Sequence, residues 1–548
     1  MKKLFAAVLI LALSAPLVFA AGNRQDSRRP SGGAAAGTAD TPGWKANAST
    51  PITFDWYINF AWFARKWGEN RVSKFITENT GVNVRFIVPA GNEAERLNAM
   101  IAGNALPDLI TLDNGAAQIN EMIDAGMVEP LNKLAEQYDP YFFKVANPQL
   151  LGWFTKSDGN VYSYPNSATP PADYITYKGQ LTSNQTFLVR KDMYEGIGSP
   201  DMTTPEGFLS ALRAAKQKYP SIDGQPIIPI GFHEFGDTGN YSLQSYLLNF
   251  LAQPQEVANQ YVDPNLGPDN PEYVRWLKCL RQAAEEGLIS MDVFVDKRAQ
   301  MEEKIAQGRY FSMLYQISDM QAPADALYAR DPNMIYIAVE GPKNIRRDPP
   351  TLSGGAGISG WVVTLISKNC KDKARAIQFI TYFLSNEGQL AINYGIPGVT
   401  YDMVNNIPTL KPEMVELNTT DKNRQELEYG FDGCFWMLTQ PSWRRQYPPN
   451  PRPPARAQAI DWTVPYVNST SQYSNMNMVP GTDEDLIINE IGRRWGRDLP
   501  RLILAKTEAE FDAIWSEFQK FKADRGYAKV QTAQTAIMRE NKRKLGIN

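Results

Sequence analysis

Ile52-Thr53-Phe54-Asp55-Trp56-Tyr57-Ile58 opens the ordered sequence, and the alternation of Ile52, Phe54, Trp56 and Ile58 with Thr53, Asp55 and Tyr57 reads as a β-strand. Val72, Phe75 and Ile76 follow at helical spacing and stop at Gly81, a residue suited to the left-handed turn that ends a helix. Val82, Val84, Phe86 and Val88 form a second strand. Leu97, Met100 and Ile101 make a second helix ending near Gly103, and Pro107-Asp108 leads into a short buried strand over residues 109–112. Ile119, Met122 and Ile123 make a third helix, closed by Gly126. Strand and helix thus alternate three times between residues 52 and 126, which predicts an α/β fold with a parallel sheet covered on both faces.

A second series starts beyond the Tyr- and Pro-rich residues 161–171. Residues 186–189 read as a strand, and Thr203-Thr204-Pro205-Glu206 supplies a cap hydroxyl, a first-turn proline and an acid ahead of Phe208, Leu209 and Leu212. Asn270-Pro271 opens another helix, with Val274, Leu277, Cys279 and Leu280 inward. Residues 365–369 end a strand that feeds a helix over residues 371–386. Thr507-Glu508-Ala509-Glu510 has the pattern of a capping box, and Phe511, Ile514, Trp515 and Phe518 make the last helix amphipathic, so that it packs on a domain.

Upstream, Met1-Lys2-Lys3, an apolar stretch over residues 4–17 and Val18-Phe19-Ala20 have the three parts of a secretory signal peptide. The expected product is cleaved after residue 20 and released to the periplasm or outside, with no lipid anchor, since no cysteine follows the apolar stretch. Residues 21–49, rich in Gly, Ala, Ser, Thr, Pro and Arg without hydrophobic period, read as a flexible leader. No later apolar run reaches the roughly 18–20 residues needed to span a bilayer. Three cysteines allow at most one disulfide, and they read as buried small apolar residues.

The chain has 548 residues and 43% hydrophobic content, enough for two or more domains of roughly 100–200 residues each. A formal charge of −3 gives no field to hold nucleic acid or an anionic membrane. Its single histidine, His233, narrows the enzyme classes available and excludes a His-Glu-x-x-His zinc site. Gly355-Ala356-Gly357-Ile358-Ser359-Gly360 matches a dinucleotide fingerprint in letters only. That motif needs a strand before it and a helix after it, whereas a Pro-containing segment precedes this one and the strand-like Trp361-Val362-Val363-Thr364-Leu365 follows. It reads instead as a bend between two domains. No cofactor and no metal are expected, and no catalytic residue is assigned.

Against one histidine stand 12 Trp, 25 Tyr and 24 Phe. In parallel α/β sheets ligands collect beyond the carboxyl ends of strands. Those ends carry Asn59 and Trp62 after the first strand and Asp113 and Asn114 after the third. Rings beside short amides and carboxylates suit a sugar, whose C–H faces stack on a ring while its hydroxyls bond to Asp or Asn. The same pairing recurs around Glu234, Trp361 and Trp436, and these seven residues are the candidate ligand contacts. Arg444 and Arg445 read as a solvated pair, or as a bidentate contact for a carboxylate sugar, beside a rigid polyproline-type connection over residues 447–454.

Several stretches resemble the family-1 extracellular solute-binding proteins of bacterial ABC importers. Residues 97–110, Leu97-Asn98-Ala99-Met100-Ile101-Ala102-Gly103-Asn104-Ala105-Leu106-Pro107-Asp108-Leu109-Ile110, are similar to that family's helix, Gly turn and Pro-Asp leading into a buried strand. Gly126-Met127-Val128-Glu129-Pro130-Leu131, Gly159-Asn160-Val161-Tyr162-Ser163-Tyr164-Pro165 and Lys373-Ala374-Arg375-Ala376-Ile377-Gln378-Phe379-Ile380 resemble further segments of it. The length resembles the large oligosaccharide-binding, lipoprotein-like branch, from which the chain departs by lacking the lipid-bearing cysteine. Some members carry a calcium loop where residues 219–226 here have one acid, so no calcium is expected there.

The resemblance implies a two-lobed periplasmic-binding-protein fold of type II, with hinge-linked lobes and several chain crossings. Residues 50–172 and 350–402 are assigned to lobe 1, and 173–349 and 403–548 to lobe 2. It further implies a monomer that binds a carbohydrate, an oligosaccharide, between the lobes and delivers it to ABC transporter permease subunits, with no nucleic-acid partner. An exported carbohydrate-active enzyme, a glycosidase or polysaccharide lyase working with a carboxylate pair, is the alternative, and a peptide- or lipid-binding relative is a second one.

Overall fold

The structure is a computed structural model that describes residues 34–547. The expected signal peptide and the start of the expected leader lie outside the described residues. Nine strands build two main sheets: β1 (Ile52–Ile58), β2 (Val82–Ile87), β3 (Leu109–Asp113), β4 (Ser163–Pro165), β5 (Gln185–Arg190), β6 (Ile228–Gly231), β7 (Tyr310–Gln316), β8 (Tyr336–Ala338) and β9 (Val362–Ile366). The first sheet has the order β2-β1-β3-β9-β4 and the second β8-β5-β7-β6.

The expected alternation forms the parallel part of the first sheet, with β1 between β2 and β3 in the registers Trp56↔Phe86 and Trp56↔Leu109. The helix Arg71–Thr80 ends as its glycine requires: Gly81 takes φ 69° and its N–H closes on Thr77 O. β9 returns from the far end of the chain and runs antiparallel to β3 and β4. Hydroxyls secure that long-range seam. Trp56 Nε1 donates to Thr111 Oγ1 at 2.9 Å, and Thr111 and Thr364 share a 2.8 Å hydroxyl bond. All three side chains are fully buried, so each polar atom needs the partner it has.

Each sheet carries its own core. Trp56, Phe379 and Phe383 interlock edge-on over the first, where the helix Lys373–Leu384 covers β1. Phe208 meets Trp276 at 5.5 Å over the second, and the helices Asp483–Ile503 and Glu508–Asp524 add Trp495 and Phe518 to the same core. Cys279, Cys370 and Cys434 are buried free thiols.

Four expectations are corrected. The leader does not run loose to residue 49, because Gly43–Asn47 is a helical turn and Trp44 is 2% exposed between Tyr141 and Tyr382. One buried Trp and the bonds Gly43 N to Asp139 Oδ1 and Asn47 Nδ2 to Gln378 Oε1 hold it, and a single anchor makes no periodic pattern. Residues 403–447 do not join the second lobe: Met414, Phe431, Phe435 and Leu438 share the core of the first sheet. The final crossing is instead the Pro-rich stretch after Tyr447, and the helix Pro454–Thr463 beyond it locks onto β8 by reciprocal Gln458–Ala338 bonds. At the capping box, Thr507 Oγ1 accepts from Glu510 N, but Glu510 Oε2 accepts from Lys506 N rather than Thr507 N. The helix Glu508–Asp524 packs on the second core as expected, but it is not the last: the chain turns at Gly526, φ 86°, into a further helix, Tyr527–Leu545.

Candidate functional site

The carboxyl ends of β1 and β3 and the start of β9 meet at one edge of the first sheet. Asn59 N donates to Thr111 O, and Asn114 N to Trp361 O, so the three ends are stitched by backbone bonds. From this edge Trp62, Trp361 and Trp436 project into a single cluster. Trp62 and Trp361 are offset-stacked, 6.0 Å apart at 9°, and Trp436 lies 4.6 Å from Trp361 and 5.7 Å from Trp62. Phe60 completes it at 5.2 Å from Trp361. A large ring left in water costs free energy, yet Trp62 is 52% exposed. Trp62 is the open outer ring of the platform, while Phe60, Trp361 and Trp436 are partly buried.

The polar candidates divide by what they already hold. Asn59 Oδ1 accepts from Tyr57 OH at 2.8 Å. Asn114 Nδ2 donates to the carbonyls of Gly360 and Trp361, which makes Asn114 a clamp for the Trp361 backbone. Asp113 Oδ1 accepts only the Gly115 N–H, and burial raises its carboxyl above the ordinary value. Across from it, Tyr241 of the second lobe is raised by burial and then by the charge of Asp113. Solvent nonetheless reaches both, with Tyr241 50% exposed, and Tyr241 lines a concavity beside Asp113 rather than the core.

That concavity is a cavity of about 1280 Å³ between the lobes, lined by Asn114 and Lys156 from the first and Glu234, Tyr241, Gln244 and Lys544 from the second. Tyr241 belongs to a second aromatic group with Tyr246 at 5.0 Å and His233 at 5.4 Å, built on the ends of β6 and β7. Tyr315 lies 4.5 Å from the His233 ring. Ser242 Oγ gives its proton to Leu314 O, so the 2.6 Å contact from His233 Nδ1 makes that nitrogen the donor. Burial lowers His233 to about 4, and the ring is neutral at physiological pH. It is a hydrogen-bonded structural residue.

The crossings are tied to one another beside the platform. Thr169 N donates to Gly357 O, and Arg445 bonds Asp173 at 2.5 Å and Thr169 Oγ1 at 3.2 Å, which joins all three. Asn166 adds a bond to Trp436 O and accepts from Val362 N. Gly355, Gly357 and Gly360 all take positive φ in the second crossing, the bend expected from the sequence. Arg445 is therefore a hinge residue, and Arg444 lies over the Tyr394 ring at 4.9 Å while donating to Pro448 O. Residues 221–226 form a tight hairpin whose Asp223 pairs with Arg330. Among the described residues no group of three His, Cys, Asp or Glu side chains is placed to hold a metal.

Sequence reasoning brought together Trp62, Trp361 and Trp436, and placed Asp113 and Glu234 at the cavity or its edge. It missed Phe60, one residue from a chosen one, and Tyr241, which follows no strand pattern. It also missed Lys156 and Lys544, which only the folded chain brings to one place.

The family described as bacterial extracellular solute-binding protein matches residues 61–390. Lipoprotein LipO of Bacillus subtilis (strain 168) is 22% identical over 377 residues, 66% of this chain and 68% of its own. The fructooligosaccharide ABC transporter substrate-binding protein FusA of Streptococcus pneumoniae is 25% identical over 239 residues, 41% of this chain and 42% of its own. A solved structure of the S. pneumoniae protein FusA in complex with kestose superposes with a TM-score of 0.68 at 17% identity, covering 89% of this chain and 99% of that one.

Proposed function

The chain belongs to the bacterial extracellular solute-binding protein family and has its two-lobed type II periplasmic-binding fold, and from that premise we propose that it binds an oligosaccharide between the lobes and passes it to an ABC importer. One observation carries the reading: the Trp62–Trp361–Trp436 platform with Phe60 stands at the strand ends beside an interlobe cavity of about 1280 Å³ lined by Asn114, Glu234 and Tyr241, with Asp113 near enough for its charge to act on Tyr241. The rings stack on sugar faces, which are apolar above and below and polar at the rim. Asp113 and Glu234 accept from hydroxyls, Asn59 reads one further group, and Asn114 holds Trp361 in place. The names of FusA, a fructooligosaccharide-binding protein, and of its kestose complex support the same ligand class.

Closure follows from differential affinity. A sugar touching both lobes stabilises the closed arrangement over the open one, and the permease then reads the closed surface. The protein acts as a monomer and is exported with its signal peptide removed. Residues 50–172 and 350–447 make lobe 1, and the remainder to residue 547 makes lobe 2.

Incubation with a panel of neutral oligosaccharides, followed by calorimetry and chromatography of the same samples, tests this. Saturable one-to-one binding with sugar recovered intact supports a binder, whereas accumulating shorter or unsaturated products would establish the carbohydrate-active enzyme instead.

A further inference from the structure

Lys156 and Lys544 reach the same end of the interlobe cavity from opposite lobes. Lys156 follows the helix Pro148–Phe154 of the first lobe, and Lys544 lies in the last turn of the helix Tyr527–Leu545. That last turn touches the first lobe: Lys544 Nζ stands 5.8 Å over the Trp153 ring, and Leu545 packs against the first core. Trp153 is fixed in turn by its Nε1 donating to Ser359 Oγ at 3.1 Å.

Among the described residues no carboxylate lies within salt-bridge distance of Lys156 or Lys544, although many other lysines and arginines of the protein are paired. Lys156 Nζ has one neutral acceptor, Asn120 Oδ1 at 3.0 Å. Two of the nearby acids are already engaged, while Asp124 acts on Lys156 only by its charge, from beyond salt-bridge distance. Asp158 accepts from Tyr162 OH and Asn160, and Glu540 is bidentate with Arg543. Two like charges therefore converge on one cavity wall. Burial first, and Lys544 next, lower Lys156 from its ordinary value, and the charges of Asp124 and Asp158 do not restore it. Solvent reaches both side chains, so an incoming group can as well.

We propose that Lys156 and Lys544 form an anion-binding end of the ligand cleft, taking a carboxylate of an acidic sugar unit and bridging the two lobes through it. This rests on the cleft reading above and sharpens it, because it makes an acidic oligosaccharide the preferred ligand class. An oxyanion between the two ammonium groups relieves their repulsion and gives two charge-assisted hydrogen bonds. It also ties lobe 1 to the C-terminal helix, so the charge contact and closure are one event.

The test uses the full chain and two exposed-site variants, Lys156→Met and Lys544→Met. Digalacturonate and its methyl ester have the same backbone and differ in charge, while sulfate titrated against chloride at constant ionic strength reports on a free oxyanion. The expected result is a saturable rise in Tm with sulfate, and binding of the acid at least about tenfold tighter than the ester, both lost in either variant. Absence of a saturable response to both sulfate and the acid, or a response unchanged in both variants, would overturn the proposal. Failure of the carbohydrate reading looks different: sulfate would still respond through the lysines while no neutral or acidic sugar bound. If neutral sugars bind and the anions do not, the cleft stands and the lysine pair falls.

Discussion

Replacing Trp62 by alanine removes the outer plate of the platform and little else. Trp62 is 52% exposed, and a tryptophan side chain carries about 150–250 Å² of contact surface, so roughly 80–130 Å² is available to a ligand. At about 25 cal/mol per Å² that surface is worth about 2–3 kcal/mol when a sugar ring covers it. The affinity of Trp62→Ala for the best oligosaccharide should therefore fall by about 30- to 150-fold. The fold should lose less, about 1–2 kcal/mol, because what goes is contact with Phe60, Trp361 and Trp436 and not a core residue. Isothermal titration calorimetry gives the first quantity and denaturant unfolding the second. An affinity within twofold of the parent in a fully folded variant would refute the platform as the stacking surface. A loss of affinity matched by a stability loss as large would point to collapse of the cluster and not to a lost contact.

Three further outcomes follow from buried or half-buried ionisable groups. Asp139 is fully buried, accepts from Gly43 N and is raised by burial to about 6 from 3.8, so the folded state holds its proton more tightly than the unfolded chain does. That contribution is complete below pH 3.8 and is lost as pH rises to about 6, an effect of about 3 kcal/mol, so Asp139→Asn should be more stable than the parent at pH 7.5 and match it near pH 4. His233 is opposite in sign. Its folded value of about 4 lies below 6.5, so stability is held above pH 6.5 and falls towards pH 4, and urea titrations of His233→Gln should show that acid slope flattened by about 3 kcal/mol. Asp113 is raised, so sugar binding by the parent should weaken on acidification earlier than an ordinary carboxylate would allow, and calorimetry of Asp113→Asn across pH should show no such limb.

The part of the fold most legible in the sequence is the part made of local periodicity. Between residues 52 and 126 each strand and helix declares itself by its own spacing, and the glycines at 81, 103 and 126 mark where helices stop. β9 declares itself as a strand but not as the antiparallel neighbour of β3, because that seam rests on Thr111 meeting Thr364 across 253 residues. The placement of residues 403–447 was illegible for a related reason. Their apolar residues fit either core, and only the stiff segment after Tyr447 marks where the chain leaves the first lobe. At the site, Trp62, Trp361 and Trp436 could be nominated because strand ends are where ligands gather in such sheets. Asn114 could be placed there too, but its use as a clamp on Trp361 depends on the carbonyls that happen to lie above it. Tyr241 and Lys544 become neighbours of the first lobe, and Lys544 of Lys156, only through the crossings, and no spacing rule reaches across them.

On the proposed function, a sugar lies between the Trp62–Trp361–Trp436 platform and the wall carrying Tyr241 and Glu234. A crystal structure of the protein with its tightest-binding oligosaccharide tests it most directly. Sugar rings should be stacked on Trp62 or Trp361, with a hydroxyl within hydrogen-bond distance of Asp113 and contacts from both lobes. A ligand seated outside the interlobe cavity, or within it with no ring against the platform, would contradict it.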